Sequence, residues 1–338
     1  MRNWAGYSIA AAVLLALPVA LIAADQPADP VAVRASYRRP ATIPFPDSNP
    51  FSTAKHTLGE KLFFDPLLSG SRTISCASCH NPALSWSDGL PRAIGARRMP
   101  LRSPTLIDVA FIEPLGWDGK FADLESVTFG PLSSAANMDI TEHELIKRLS
   151  AAPGYADAFA RAYGDSKVTR PRIEQALATY QRTIVAGEAP FDRWIMGDDN
   201  AIGAQAKRGF ALFNGKANCA ACHSGPSFTD GSFHDIGTAT GDDIGRGQMF
   251  PTSVKLRYAF KTPTLRDVAR RPPYMHDGSA ATLREVIDLY DRGGIDRPSR
   301  SPEIKPLGLT GEEKADLIAF LQTLDGAPVT PSPPPPLR

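Results

Sequence analysis

An excess of charge of either sign is missing from this chain. Its 338 residues carry 37 Lys and Arg against 36 Asp and Glu, for a net charge of +1. A balance that even gives no electrostatic footing for nucleic acid or an acidic polymer as partner. Long apolar runs are scarce too. The run Ile9–Ala24 follows Arg2, is interrupted by Pro18 and gives way to the polar segment Asp25–Asp29. A short basic start, an apolar core and small residues before a polar stretch read as a secretory signal over residues 1–24, cut near Ala23 or Ala24. The alternative is an uncleaved anchor, but the run is near the lower limit for spanning a bilayer. The expectation is export to the periplasm with no stable membrane insertion after cleavage.

Cysteine is limited to four residues. All of them fall in two copies of Cys-x-x-Cys-His: Cys76, Cys79 and His80, then Cys219, Cys222 and His223. An exported protein with four cysteines would ordinarily hold two disulfides. A bridge within Cys-x-x-Cys, however, closes a tiny loop and stabilises little. A zinc site built from two such pairs spaces them by roughly 15–20 residues; Cys79 and Cys219 are 140 apart. A thioredoxin-like pair needs no following His. What remains is covalent attachment of a c-type haem at each motif. The two cysteines form thioethers with the vinyl groups, and the His is the proximal iron ligand. Two copies imply two covalently bound haems.

The length suits about two domains at roughly 100–200 residues each, and the chain reads as a duplication. RSPTLIDVA at Arg102–Ala110 matches KTPTLRDVA at Lys261–Ala269, and Trp117-Asp118-Gly119 matches His276-Asp277-Gly278, all at an offset of 159 positions. The haem motifs pair at 143, so the second half carries about 16 additional residues between its motif and its Pro-Thr-Leu segment. Repetition on this scale means two copies of one supersecondary unit. Helical periodicity falls on Thr141–Leu149, Pro171–Val185, Ala204–Phe213, Leu283–Tyr290 and Gly311–Leu324, the first opening with a capping box from Thr141 to Glu144. Gly231–Gly247 reads as loop. The expected fold is mainly α: two cytochrome c-like haem domains related by internal duplication. Residues 25–49 form an extended lead-in, 50–170 the N-terminal domain, 171–200 a connecting helical segment, 201–325 the C-terminal domain and 326–338 a Pro-rich tail.

These residues resemble the bacterial dihaem cytochrome c peroxidase and MauG family. The resemblance runs from about Pro44 to Leu324. It is carried by LGEKLFFDPLLS (Leu58–Ser69), CASCH, SPTL, WDG, CAACH, FHDIG (Phe233–Gly237), TPTLRDV and PYMHDG (Pro273–Gly278). It implies an N-terminal haem that meets hydrogen peroxide, a C-terminal haem that passes electrons, and a tryptophan between them, here Trp117. Trp86 and Trp194 read as packing. In family members a distal His lies 16 residues past the first proximal His; that position is Ala96, and His56 and His143 do not match it. Met99 is a candidate substitute but reads as packing. The first haem is therefore expected to be five-coordinate on His80. For the second haem the family's distal ligand lies 14 residues past the His of HDG, which is Tyr290, where electron-storing peroxidases have Met. A phenolate is a hard anionic donor that stabilises the higher iron oxidation states, whereas a thioether favours the ferrous state. Met249 and Met275 are the competing ligands.

The family's peroxide pocket uses a Gln and a Glu, 10 and 20 residues past the WDG tryptophan. Here those positions are Val127 and Asn137, and neither carries a proton. Asp139, Glu142 or His143 could substitute, although they read as helix capping and a solvated face. The family's inter-domain calcium uses an Asn just before SPTL; this chain has Arg102, so calcium stays open. The leading expectation is a MauG-like oxidoreductase that uses peroxide and oxidises a protein substrate or a small cytochrome c. The alternatives are a cytochrome c peroxidase fed by a small cytochrome c or cupredoxin, and a non-catalytic dihaem carrier or sensor.

Overall fold

The computed structural model describes Met1 and residues 30–328. The expected secretory signal and all but the first residues of the Pro-rich tail lie outside the described residues. The described chain is mainly helical, with one two-stranded antiparallel sheet that pairs Phe233 with Lys261 and His234 with Phe260.

Two hydrophobic cores repeat one plan. In the first, the helix Thr53–Phe64 crosses the helix Arg170–Arg182; in the second, Ala204–Asn214 crosses Gly311–Gln322. Each crossing has a glycine at its closest point. A Cβ on Gly59 would lie 2.0 Å from the Ala176 carbonyl oxygen, and one on Gly209 would lie 2.0 Å from that of Asp316. No side chain fits there, and the close approach seals Leu58, Leu62 and Phe63 on one side and Phe213, Phe320 and Leu321 on the other. Burying each such side chain stabilises by about 1.5–3 kcal/mol. A second repeated device closes each unit. Asp108 and its counterpart Asp267 sit in the left-handed region at φ 58° and 55°. Asp108 accepts from the Ala186 amide and Asp267 from the Gly326 amide, 2.9 Å each. Each carboxylate thus fastens the chain leaving its own unit's last helix.

The expected helices all form, as Glu142–Ala151, Arg170–Arg182, Ala204–Asn214, Leu283–Arg292 and Gly311–Gln322. Two assignments come out differently. The helix Arg170–Arg182, which periodicity puts in a connecting segment, supplies Ile173, Ala176, Leu177 and Tyr180 to the first core. Of the expected lead-in, the described residues 30–49 are not simply extended: Pro30–Ala35 is a helix, and Tyr37 is 1 % exposed within the second core, stacked on Phe228 at 4.8 Å with its hydroxyl donating to Asn214 Oδ1. At Thr141 the capping box is half made. The Thr141 hydroxyl accepts from the Glu144 amide, but the Glu144 carboxylate pairs with Arg148 at 2.7 Å.

Candidate functional site

Cys76–Cys79 forms a single helical turn that continues into His80, whose amide donates to the Cys76 carbonyl. The Cys219–Ala221 turn ends likewise, with the His223 amide donating to the Cys219 carbonyl. One turn of helix brings both sulfurs and the imidazole to the same side. The imidazoles are then fixed in one orientation. Nδ1 of His223 lies 2.9 Å from the Phe228 carbonyl, and Nδ1 of His80 lies 3.4 Å from the Trp86 carbonyl and 3.3 Å from Ser103 Oγ. A ring whose Nδ1 is taken up by a carbonyl presents an unprotonated Nε2, the form that ligates a metal. Burial favours the same neutral form, pushing His80 down to about 4 and lowering His223. Burial also raises Cys76 and Cys219 to about 12 and Cys79 to about 11. All four cysteines are free of disulfides, and the raised thiols of Cys76, Cys79 and Cys219 weigh against a thioredoxin-like redox pair. The residues fit two thioether-bound haems with His80 and His223 as proximal ligands.

Both motifs open onto one largely apolar cavity of about 580 Å³, which runs from the first unit into the second. Trp117 lines it at the joint between the units. Its Nε1–H donates to the Arg102 carbonyl at 3.0 Å, and its ring stands edge-on to that of His276 with centroids 6.4 Å apart. His276 stacks on Phe260 and holds Asp243 at 2.9 Å, so its role is to set the joint.

On the first unit's side Val127 and Asn137 both line the cavity, as does Met99. Ala96 does not; its amide donates to the Asn137 carbonyl and pins the backbone there. His56 is buried outside the cavity, 3.2 Å from Thr183 Oγ1. Asp139, Glu142 and His143 are exposed and line none of it. Gln181 lines it, and sequence reasoning missed this. In the duplicated helix register its counterpart is Leu321, another lining residue. A polar residue at an apolar position of the repeat was the available signal.

On the second side, Leu283, Val286, Ile287 and Tyr290 form one stripe of the helix Leu283–Arg292, and all four line the cavity. Thr282 caps this helix by accepting from the Glu285 amide, and Lys314 clamps its outer face through Asp288 and Asp291, at 2.8 and 2.6 Å. Tyr290 therefore points inward from a fixed backbone, into the cavity that His223 also lines. Burial raises its phenol well above the ordinary value. Met275 shares the lining, while Met249 is 43 % exposed and does not. Cys222, Asp230 and His234 converge within 4.8 Å. The haem motif commits Cys222, which leaves His234 paired with Asp230 at 2.7 Å, a contact that raises the His234 pKa. A divalent ion does not fit the position ahead of SPTL. The Arg102 guanidinium is buried there and donates to Ser87 Oγ and the Arg271 carbonyl, each at 3.1 Å.

Two units, each holding a Cys-x-x-Cys-His turn against a shared cavity, define a dihaem protein of the c type. The family model described as di-haem cytochrome c peroxidase matches residues 53–200, and the cytochrome c model matches residues 206–325. The chain is 51 % identical over 304 residues to the methylamine utilization protein MauG of Methylorubrum extorquens, covering 89 % of this chain and 86 % of that one. It is 34 % identical over 276 residues to the cytochrome c551 peroxidase of Nitrosomonas europaea, covering 80 % and 79 %. Among solved structures, a MauG-like protein associated with microbial copper homeostasis superimposes with a TM-score of 0.80 at 29 % identity, covering 86 % of this chain and 94 % of that one. The chain belongs to the dihaem cytochrome c peroxidase/MauG family of enzymes and carries two covalently bound c-type haems. Among the described residues no helix is long and apolar enough to cross a membrane.

Proposed function

We propose that this chain is a periplasmic, MauG-like oxidoreductase. It takes hydrogen peroxide in the first unit's part of the cavity, which His80 lines, and oxidises a protein substrate or small cytochrome partner; His223 and Tyr290 are the residues that would hold the second haem. The observation that carries this reading is Tyr290, a half-buried phenol that lines the His223 cavity from a clamped helix where electron-storing peroxidases use Met. The two MauG relatives, at 51 % and 47 % identity, add methylamine utilization as the context. Export rests on the reading of residues 1–24 and on the c-type attachment.

Bound haem supplies the one-electron and peroxide chemistry, with its potential set by the axial ligands. The chain's own residues do the rest. His80 and His223 offer Nε2 because their Nδ1 atoms are engaged. Tyr290 must lose its proton to ligate. Burial opposes that, so ionisation depends on a cation at the phenol oxygen, the situation in which a metal inverts the local pKa order. Trp117 is held by a neutral carbonyl acceptor, which orients the indole N–H without removing its proton. Asn137 can hydrogen-bond peroxide but cannot carry a proton from one oxygen to the other, and Val127 offers nothing. Peroxide cleavage in this pocket is accordingly slower than a Glu would allow.

The test is the optical spectrum of both haems before and after peroxide, in wild type and in Tyr290→Phe. The expected result is a change confined to one haem, with loss of that haem's capacity to keep an oxidising equivalent. An unchanged spectrum in Tyr290→Phe, with the change appearing in Met275→Leu, would leave a cytochrome c peroxidase like the relative from Nitrosomonas europaea.

A further inference from the structure

Each half of the chain has a cation immediately before its Pro-Thr-Leu segment: Arg102 in the first and Lys261 in the second, 159 positions on. Both are buried, 7 % and 8 % exposed. Both cross to the opposite half. The Arg102 amide donates to the His276 carbonyl at 2.9 Å, and the Lys261 amide donates to the Trp117 carbonyl at 2.8 Å. Because Trp117 and His276 are themselves 159 positions apart, exchanging the halves converts one bond into the other. The side chains obey the same rule. The Arg102 guanidinium donates to the Arg271 carbonyl, and the Lys261 ammonium donates to the carbonyls of Ile112 and Pro114. Ile112 and Arg271 are again counterparts. The joint therefore has a local two-fold with two polar nests, each filled by a cation: Lys261 meets two carbonyls of the first unit, and Arg102 meets one carbonyl of the second unit together with Ser87 Oγ of its own.

Buried carbonyls have to find a donor or a cation. Here the chain supplies both cations covalently. A divalent ion entering the Arg102 nest would meet a fixed guanidinium at contact distance, where like charges in a desolvated site repel strongly. The Arg102 carbonyl also accepts the Trp117 indole proton, so the residue that fills the nest also aims the tryptophan.

We infer that Arg102 and Lys261 are the paired cations of the inter-unit joint, that Arg102 takes the place of a bound calcium ion there, and that Arg102 is a positioning residue for Trp117. The positioning role rests on the proposed function of Trp117; independence from calcium does not.

The test uses the purified holoprotein, dialysed against EGTA and then supplied with millimolar calcium chloride. Elemental analysis should find iron at two per chain and no calcium, and peroxide-driven oxidation of a reduced cytochrome c should be the same in both media. Stoichiometric calcium, or a rate that falls in EGTA and returns with calcium, would overturn the inference. Arg102→Asn removes the cation and offers an oxygen in its place. In EGTA it should oxidise the donor roughly tenfold or more slowly, because misplacing a group by an ångström is costly, and calcium should restore the rate. A wild-type rate for Arg102→Asn in EGTA would also overturn the inference. Arg102→Lys copies what the second half already uses at Lys261 and should retain most of the rate in both media. Should Arg102→Asn fail to fold, this variant decides: insensitivity to calcium supports the inference and dependence on calcium refutes it. If Trp117→Phe leaves donor oxidation unchanged while the calcium results hold, the electron path fails and the two-fold joint stands.

Discussion

Replacing Asn137 by Glu asks whether the peroxide pocket lacks only a proton carrier. The backbone at Asn137 is already set: its carbonyl accepts from the Ala96 amide and its own amide donates to the Ser134 carbonyl at 2.9 Å. The side chain lines the cavity beside Val127, Pro131 and Met138, so a carboxylate one methylene longer has room on the cavity side. A positioned general acid–base group is worth about 10²–10⁴-fold in rate, or about 2.7–5.4 kcal/mol of barrier at 1.36 kcal/mol per decade. Stopped-flow mixing with hydrogen peroxide, followed in the haem absorption band, should show Asn137→Glu reacting at least about 10²-fold faster than wild type, with a rate that falls as the pH drops below the new carboxyl's pKa. Val127→Gln, which adds a hydrogen bond but no proton carrier, should give a smaller gain. A wild type that already reacts fast and is slowed by either substitution would refute the reasoning. It would mean that another cavity group handles the proton, Gln181 and Asp118 being among the polar residues that line it.

Tyr290→Met should raise the reduction potential of one of the two haems markedly, measured by spectroelectrochemistry, because a thioether favours the ferrous state. Trp117→Phe should leave peroxide uptake by the first haem intact while slowing donor oxidation, read as separate phases in rapid mixing. Gly209→Ala forces a Cβ to within 2.0 Å of the Asp316 carbonyl; overpacking of this kind costs about 1–3 kcal/mol, visible as a lower thermal midpoint, and Gly59→Ala should do the same to the first unit. Asp325 is pushed up to about 6 by burial and by Asp267 beside it. A carboxyl whose folded pKa is raised binds more protons folded than unfolded, so wild-type stability should decline as pH rises from about 4 to 6. Asp325→Asn should flatten that slope in chemical denaturation.

The presence of two c-type haems was legible because Cys-x-x-Cys-His is local: one helical turn contains the whole motif. The duplication was legible for the same reason, as repeated short segments at one offset. Tyr290 could be named only because the HDG segment sets its register; its isolated sequence is that of any half-buried helix tyrosine. What stayed hidden depends on partners far along the chain. The helix Thr53–Phe64 has Lys55 and His56 facing inward and almost no amphipathic signature, since Asn49, Pro50 and Thr183 satisfy those polar groups. The helix Arg170–Arg182 reads as a connector until Ala176 is seen against Gly59. The Thr141 capping box fails half-way because Arg148 offers Glu144 a better partner, while Thr310 and Glu313, not singled out by pattern, make theirs in full. Arg102 signals an obstacle to calcium in the sequence, but only the folded joint reveals Lys261 as its counterpart.

Tyr37 has consequences for anyone wishing to split this molecule into its two cytochromes. A cut near residue 200 looks natural, since one family model ends there and the next begins at 206. Yet the aromatic cluster of the second core sets Tyr37, from far upstream, and Phe191 against Phe228, and Trp194, also from before the cut, against Phe210. A fragment starting at 201 would lose three of its largest buried rings and expose the faces of Phe210, Phe228 and Phe320. The C-terminal piece would be an incomplete sphere, prone to self-association, whereas supplying residues 30–39 and 186–200 on a flexible tether should restore a monodisperse single-haem protein. The two units thus share one uninterrupted thread, and a working half-molecule has to be rewoven rather than excised.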